Sequence, residues 1–221
     1  MNRISSSNGS ETERPRRGRK GAARKRARPL DETSLRDLAL SYAARFATTG
    51  AKLEAYLARK IRERGVAEDG DGRTRELDVK ALVARLAELG YVDDEAYARM
   101  KTRDLTGRGY GARRVEQALW AAGVEEEVRA EHAPGELQSR EAAVLMAKKR
   151  RFGPFGDRSA NDRVKELDPV VARKLREKQL AAMLRAGHAM DHVRFIIDAQ
   201  SAERVEEWLA EAEGEDPRDE Y

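Results

Sequence analysis

A helix-ending glycine, followed by one or two apolar residues and a new helical segment, recurs along this chain of 221 residues. Glycine adopts the left-handed conformation that ends a helix without steric cost, and the apolar residue after it can pack back on that helix. Four such joints occur, at Gly65, Gly90, Gly123 and Gly187. The first, third and fourth lie roughly 60 residues apart, which predicts three divergent repeats of two or three short helices each.

The segments between these joints show the apolar spacing of helices. Apolar residues recur at intervals of three and four, as at Leu53, Leu57 and Ile61. Residues 67–76 are expected to form a loop, and residues 189–212 one last helix. Because alternating apolar runs and strand-flanked turn dipeptides are missing, the pattern predicts an all-α protein.

The composition favours an array of small units over one compact domain. Charged residues make up 38% of the chain and aromatic residues 5%, which is poor material for a single large core. Helical repeats bury little core each and gain stability by stacking on their neighbours. We therefore expect tandem helical repeats in an elongated array.

Charge divides the chain into a basic arm, a nearly balanced body and an acidic tail. Residues 1–30 carry ten Lys or Arg and two acids, whereas residues 202–221 carry nine acids and two Arg. The arm holds too few apolar residues to offset its ordering entropy, so it is expected to be disordered. It either binds DNA weakly and in a salt-sensitive way or serves only as a solubilising tail. Between the arm and the tail we expect helical repeats at 31–90, 91–135 and 136–201.

The absence of cysteine and of long apolar runs predicts the cellular setting. Without cysteine there is no disulfide framework and no thiolate zinc site, which fits a reducing cytoplasm. No apolar run is long enough to cross a bilayer, and the basic N-terminal stretch lacks the apolar segment of a secretory signal. We expect a cytoplasmic protein without membrane association.

Two short segments carry a family resemblance. Residues 90–99, Gly-Tyr-Val-Asp-Asp-Glu-Ala-Tyr-Ala-Arg, resemble the hallmark of the RecX family: an apolar residue, two aspartates and a glutamate before an aromatic-Ala-Arg run. Residues 108–115, Arg-Gly-Tyr-Gly-Ala-Arg-Arg-Val, resemble the second RecX signature. Weaker similarity over 34–65 and 176–197 extends the resemblance along most of the body.

This resemblance implies a fold and a function. RecX proteins are curved arrays of tandem three-helix repeats that bind in the groove of the RecA–DNA filament. There they block filament extension or hasten filament loss, which restrains strand exchange and the repressor self-cleavage that triggers the SOS response. The chain departs from the family pattern at Ala112, where proline is common, and at Ala189, where a capping serine is expected.

Three groups of basic residues are candidates for contacting the filament or DNA, because guanidinium and ammonium groups suit phosphate and carboxylate partners. The first group surrounds the start of one helix, the second lies on repeat 1, and the third lies beside Phe152 and Phe155, whose rings could stack on bases. The alternative for all three is an ordinary solvated helix face. The groups are Arg108, Arg113 and Arg114; Arg45 and Lys52; and Lys148, Lys149 and Arg150.

No catalytic, metal or cofactor site is expected. The glycine-rich stretch 107–111 follows a helix rather than a strand, so a helix-to-helix turn is a better interpretation than a nucleotide loop. His188 and His192 have the spacing of two metal ligands on one helix face, but a third ligand is missing. The acidic run 93–95 fits a helix start. Trp120, Tyr42 and Phe46 lie on apolar stripes and are expected in the core.

The sequence analysis therefore predicts a non-enzymatic, monomeric regulator that binds the RecA filament and contacts DNA weakly. A helix-turn-helix DNA-binding protein or transcription factor is the alternative, because residues 112–122 place Arg113, Arg114 and Gln117 on one helix. A helical scaffold for an unrelated protein is a third possibility.

Overall fold

The computed structural model describes residues 28–156 and 168–213, and the prediction of an all-α fold is confirmed there. These residues form ten α-helices, one 3₁₀ turn and two isolated β-bridges, with no strand among them. The helices are α1 (Glu32–Ala43), α2 (Gly50–Arg64), α3 (Val79–Glu88), α4 (Asp94–Gly107), α5 (Ala112–Trp120), α6 (Glu126–Glu131), α7 (Glu136–Arg150), α8 (Pro169–Arg185), α9 (Met190–Asp198) and α10 (Ala202–Glu213). Most of the predicted basic arm, residues 1–27, and the end of the acidic tail, residues 214–221, lie outside the described part.

Three separate clusters of buried residues divide the described helices into three units. Unit 1 comprises α1–α3, unit 2 comprises α4–α6, and unit 3 comprises α7–α10 with the 3₁₀ turn Gly153–Phe155. The first two units therefore have three helices each, and the third has four. None of the described helices is long and apolar enough to cross a membrane.

In unit 1, the residue Leu30 before α1 pairs with the backbone that follows α2. The backbone N–H of Leu30 donates to the carbonyl of Gly65, and the N–H of Ala67 donates to the carbonyl of Leu30. The side chain of Leu30 is buried with leucines and valines from all three helices of the unit. Residues 67–76 form the expected loop, held by the Asp69 carboxylate, which accepts from the N–H groups of Asp71 and Arg73.

The last part of the chain differs from its prediction. A single helix was expected over 189–212, but Ala199 has extended backbone and separates α9 from α10. The Ser201 hydroxyl accepts from the N–H of Arg204, which gives α10 a new start. Helix α10, assigned from sequence to the acidic tail, contributes Val205 and Trp208 to the core of unit 3.

The four joint glycines all have the left-handed backbone that the sequence predicted. Their φ angles are 78° at Gly65, 75° at Gly90, 76° at Gly123 and 93° at Gly187. A side chain is strained in this region, so glycine is required at these turns. The recurring joint is therefore a real structural feature of the chain.

Two of the three aromatic residues expected in the core are exposed instead. Trp120 is 68% exposed and Phe46 is 50% exposed, whereas Tyr42 is partly buried and stacks on Tyr56. The buried face of α5 includes Leu119, and one residue further along a helix points about 100° away from it. Phe46 lies beyond the end of α1, so its position no longer follows the helical stripe.

Candidate partner-binding surface

The joint between units 1 and 2 uses one of the predicted binding residues. The Thr49 hydroxyl donates to the Ala122 carbonyl at 2.5 Å, and the N–H of Gly50 donates to the Asp94 carboxylate at 2.9 Å. The ammonium of Lys52 donates to the Tyr97 hydroxyl and lies 4.4 Å from the centre of its ring. Lys52 therefore joins two units, while Arg45 remains exposed beyond α1.

The acidic residues of the first signature cap and join helices. The Asp93 carboxylate accepts from the N–H of Ala96 and caps α4, as the sequence predicted. Asp94 accepts from the neighbouring unit, as described above, and Glu95 lies in the first turn, where negative charge meets the helix dipole. The two aspartates thus have structural partners.

The joint between units 2 and 3 is made by backbone in very close approach. The N–H of Gly111 donates to the Ala186 carbonyl at 3.0 Å, and the N–H of Arg113 donates to the Gly187 carbonyl at 3.1 Å. A Cβ atom placed on Gly111 would lie 2.4 Å from the carbonyl carbon and oxygen of Gly187. The first turn of α5 is therefore covered by the turn between α8 and α9.

His188 completes this joint from inside. It is buried, and its Nε2 lies 3.1 Å from the Gly109 carbonyl, which requires Nε2 to carry the donated proton. Burial lowers the pKa of His188 below its usual value, although the bond to the Gly109 carbonyl opposes this. His192 contacts Glu136 instead, at 3.1 Å. Within the described residues, no group of three or more His, Cys, Asp or Glu could hold a metal.

An open groove lies beside this joint, between α5 of unit 2 and the end of α8 in unit 3. Its volume is about 410 Å³. We call it the α5–α8 groove; its lining residues are Arg113, Arg114, Glu116, Gln117, Trp120, Leu184, Arg185 and Gly187. The structure thus brings two of the predicted arginines together with Arg185 and Trp120, which sequence reasoning had not assigned to any site.

The charges of the groove are unevenly paired. Glu116 pairs with Arg129 of unit 2 at 2.7 Å, and Arg114 donates to the Gln117 side-chain oxygen at 3.0 Å. Arg113 and Arg185 are exposed, and neither has a carboxylate partner in the described part of the chain. Two guanidinium groups in the groove are therefore available to an anionic partner.

A second basic surface forms where α7 ends beside the end of α4. The ammonium of Lys149 donates to the Arg108 carbonyl at 3.4 Å, which brings the first and third predicted groups together. Some of its charge is shared with exposed acids, because Arg108 lies 3.5 Å from Asp104 and Lys148 lies 3.4 Å from Glu206. We call this surface the α7 end patch; its residues are Arg108, Lys148, Lys149 and Arg150.

The two phenylalanines beside this patch belong to the core. Phe152 and Phe155 are partly buried and pack against the central cluster of unit 3. The Lys148 ammonium lies 5.4 Å from the centre of the Phe155 ring. The two rings are therefore better described as part of the core of unit 3 than as a stacking platform for bases.

Comparison with known proteins gives a consistent result. The family model described as "RecX, second three-helix domain" matches residues 93–132. Regulatory protein RecX of Myxococcus xanthus is 35% identical over 182 residues, which cover 80% of this chain and 91% of that protein. A regulatory protein RecX of Thermus thermophilus is 35% identical over 108 residues, 46% of this chain and 73% of that protein.

A solved structure agrees with the fold. The crystal structure of RecX from Lactobacillus salivarius matches with a TM-score of 0.54 over 75% of this chain and 94% of that chain, at 17% identity. Because this identity is low, the match concerns the fold alone. Together with the long match to the Myxococcus xanthus protein, it confirms the resemblance seen in the two signatures. The chain belongs to the RecX family of regulatory proteins.

Proposed function

We propose that this protein is a non-catalytic regulator of the RecA recombinase that binds the RecA–DNA filament. Bound there, it restrains filament extension, ATP hydrolysis, strand exchange and the SOS co-protease activity. Membership of the RecX family supports this proposal. The proposal also includes a cytoplasmic location, a monomeric state and weak DNA contacts by the basic residues 1–30.

The observation that carries the proposal is that basic side chains from two units meet at one joint. Arg113 of unit 2 and Arg185 of unit 3 line the same α5–α8 groove, and Lys149 of unit 3 donates to the backbone of Arg108 in unit 2. An extended anionic partner could contact both units at once, which multiplies weak individual contacts. Charges arranged in this way also speed the approach of the partner.

The helix-turn-helix alternative fits the joint less well. In such proteins the first residues of the recognition helix enter the major groove of DNA. Here the first turn of α5 is packed against Gly187, and the N–H of Arg113 is bonded to the Gly187 carbonyl. The side chains of Arg113 and Gln117 stay exposed, but the first turn of α5, which carries Arg113, is covered on one side.

The test is co-sedimentation with RecA filaments on single-stranded DNA. Full-length protein and a version without residues 1–30 should both sediment with the filament more strongly than with bare DNA. The truncated protein should bind with a weaker dependence on salt, because a polycation releases counterions when it binds. Falling ATPase activity of RecA as the protein is titrated in would agree. Equal binding to bare DNA, or a gel shift with sequence preference in the absence of RecA, would contradict the proposal.

A further inference from the structure

We infer that the α5–α8 groove is the docking site for an acidic segment of the partner protein, one that presents carboxylates beside an apolar side chain. This inference rests on the proposed function, because it names the surface by which the chain contacts the filament and the chemistry of the segment that enters it. It distinguishes the groove from the α7 end patch, where Arg108, Lys148 and Lys149 already have acidic or backbone neighbours.

The charge of the groove selects an anionic occupant. Arg113 comes from unit 2 and Arg185 from unit 3, and both guanidinium groups are exposed without a carboxylate partner among the described residues. A guanidinium binds a carboxylate through two parallel hydrogen bonds. A segment with two acidic side chains could therefore bridge the two units.

Trp120 adds the apolar half of the site. This residue, at the end of α5, is 68% exposed and lines the same groove as Leu184, which is partly buried. Trp and Arg are among the residues most enriched in the energetic centres of protein–protein interfaces. An exposed Trp beside unpaired Arg in a concave surface is thus the composition of a protein-binding site.

Two features favour a protein segment over a nucleic acid. At the start of α5, the N–H groups of Gly111 and Arg113, which could otherwise bind a phosphate, are bonded to the carbonyls of Ala186 and Gly187. Leu184 offers an apolar contact, which suits an aliphatic side chain.

The first experiment compares filament binding by full-length variants. Trp120→Ala and the double variant Arg113→Glu, Arg185→Glu should each bind RecA filaments about tenfold or more weakly than wild type, as for residues at the centre of an interface. Tyr91→Ala and Arg36→Glu are matched controls, because both residues are exposed and lie outside the groove; Tyr91 is 56% exposed. Unchanged circular dichroism and melting temperature would show that all the variants fold.

The results of this experiment distinguish a wrong docking site from a wrong proposed function. If wild type binds filaments and the groove variants bind equally well, the inferred docking site is wrong and the proposed function stands. If wild type itself does not bind filaments, the proposed function fails, and the second experiment alone then decides whether the groove binds acidic protein segments.

The second experiment uses Trp120 as a reporter of occupancy. The chain has two tryptophans, and Trp208 is buried, so acrylamide quenching of fluorescence reports mainly on Trp120, with Trp120→Phe as the blank. A peptide rich in Asp and Glu with one leucine should protect Trp120 from the quencher, and Arg113→Glu, Arg185→Glu should abolish the protection. Protection by oligothymidylate but not by the peptide would overturn the inference.

Two other occupants are tested in the same assay. If deleting residues 214–221 makes Trp120 of the free protein more accessible, the chain's own acidic end occupies the groove. If dilution of the free protein makes Trp120 more accessible, a second copy of the protein occupies the groove. Either result would overturn the assignment to a partner protein, whereas unchanged accessibility in both cases supports it.

Discussion

His188 shows how one residue ties the second signature of the chain to the turn between α8 and α9. From sequence it was one half of a weak metal pair at a position where an apolar residue was expected. In the structure it is buried and its Nε2 donates to the carbonyl of Gly109, in the second signature. A neutral imidazole satisfies this bond, and a charged one would be placed in the interior without a counterion.

The stability of the fold should therefore depend on pH through His188. Because burial lowers its folded pKa below the usual 6.5, the unfolded chain takes up a proton first as the pH falls. This contribution is fully present above about pH 6.5 and is lost below it. Urea unfolding should show that the free energy of unfolding of the wild type falls between pH 7.5 and pH 5.5. The fall should be smaller in His188→Gln, whose amide can donate without charge, and His192→Gln should show the same fall as wild type. An equal fall in wild type and His188→Gln would contradict this prediction.

At the scale of the helix, Asp93 shows that the acidic signature is a start signal. Its carboxylate accepts from the N–H of Ala96 at 2.7 Å. We expect Asp93→Ala to lower the free energy of unfolding by about 1 kcal/mol, because the cap is lost. Asp93→Asn keeps an accepting oxygen and should cost much less. Denaturant titration of the two variants measures the difference, and equal destabilisation would point to the charge rather than the cap.

Between helices, the contact of Gly111 with Gly187 sets how closely units 2 and 3 approach. A Cβ on Gly111 would lie 2.4 Å from the backbone of Gly187, so Gly111→Ala should destabilise the protein by about 1–3 kcal/mol. Gly107→Ala is the matched control, since nothing lies within 4 Å of its Cβ position and it closes α4. Thermal unfolding should separate the two variants; similar melting temperatures would show that the joint can open freely.

For the whole molecule, three small cores replace one large one, and hydrogen bonds at the joints couple them. Repeat proteins of this kind gain stability from each unit and from each interface between neighbours. Unit 1 is coupled to unit 2 by Thr49, Gly50 and Lys52. Losing one of these contacts should loosen unit 1 and leave unit 3 unaffected. The elongated, curved shape of the array stays a prediction.

Hydrogen exchange can test this coupling. Thr49→Val removes the hydroxyl that donates to the Ala122 carbonyl, a buried acceptor whose loss of a partner costs about 1–3 kcal/mol. The same hydroxyl accepts from the N–H of Lys52 and caps α2, so the variant loses a contact between units and a cap within unit 1, and neither loss involves unit 3. Backbone amides of α1–α3 should then exchange about tenfold faster or more, while those of α7 and α9 keep their rates. Thr49→Ser retains the hydroxyl and should exchange like wild type. Uniformly faster exchange along the chain would instead indicate one cooperative unit.

Much of the fold could be predicted from local pattern. The joint glycines and the helix start at Asp93 follow from short-range rules, and the structure has both. The break at Ala199 was missed, because apolar spacing continues across it and only the extended backbone separates the helices. Trp120 was misplaced for a related reason, since periodicity alone did not identify the side of α5 that faces the core.

The candidate surface was predicted only in part. Arg113 and Arg114 were grouped because they are neighbours in the sequence, and both line the groove in the structure. Arg185 joins them from more than 70 positions away along the chain, because the turn at Gly187 packs on the first turn of α5. From sequence, Lys52 was a candidate contact for the filament or DNA, with a solvated helix face as the alternative, but docking of unit 1 on unit 2 places it on Tyr97.

The sequence by itself determined that the described residues are helical, where the four glycine joints lie, and to which family the chain belongs, because these depend on residues close together along the backbone. The tertiary structure alone decided which distant residues meet: Arg185 with Arg113, His188 with Gly109, and Lys52 with Tyr97. The physical reason is that packing between units depends on shape and on a few long-range contacts, which local periodicity does not encode.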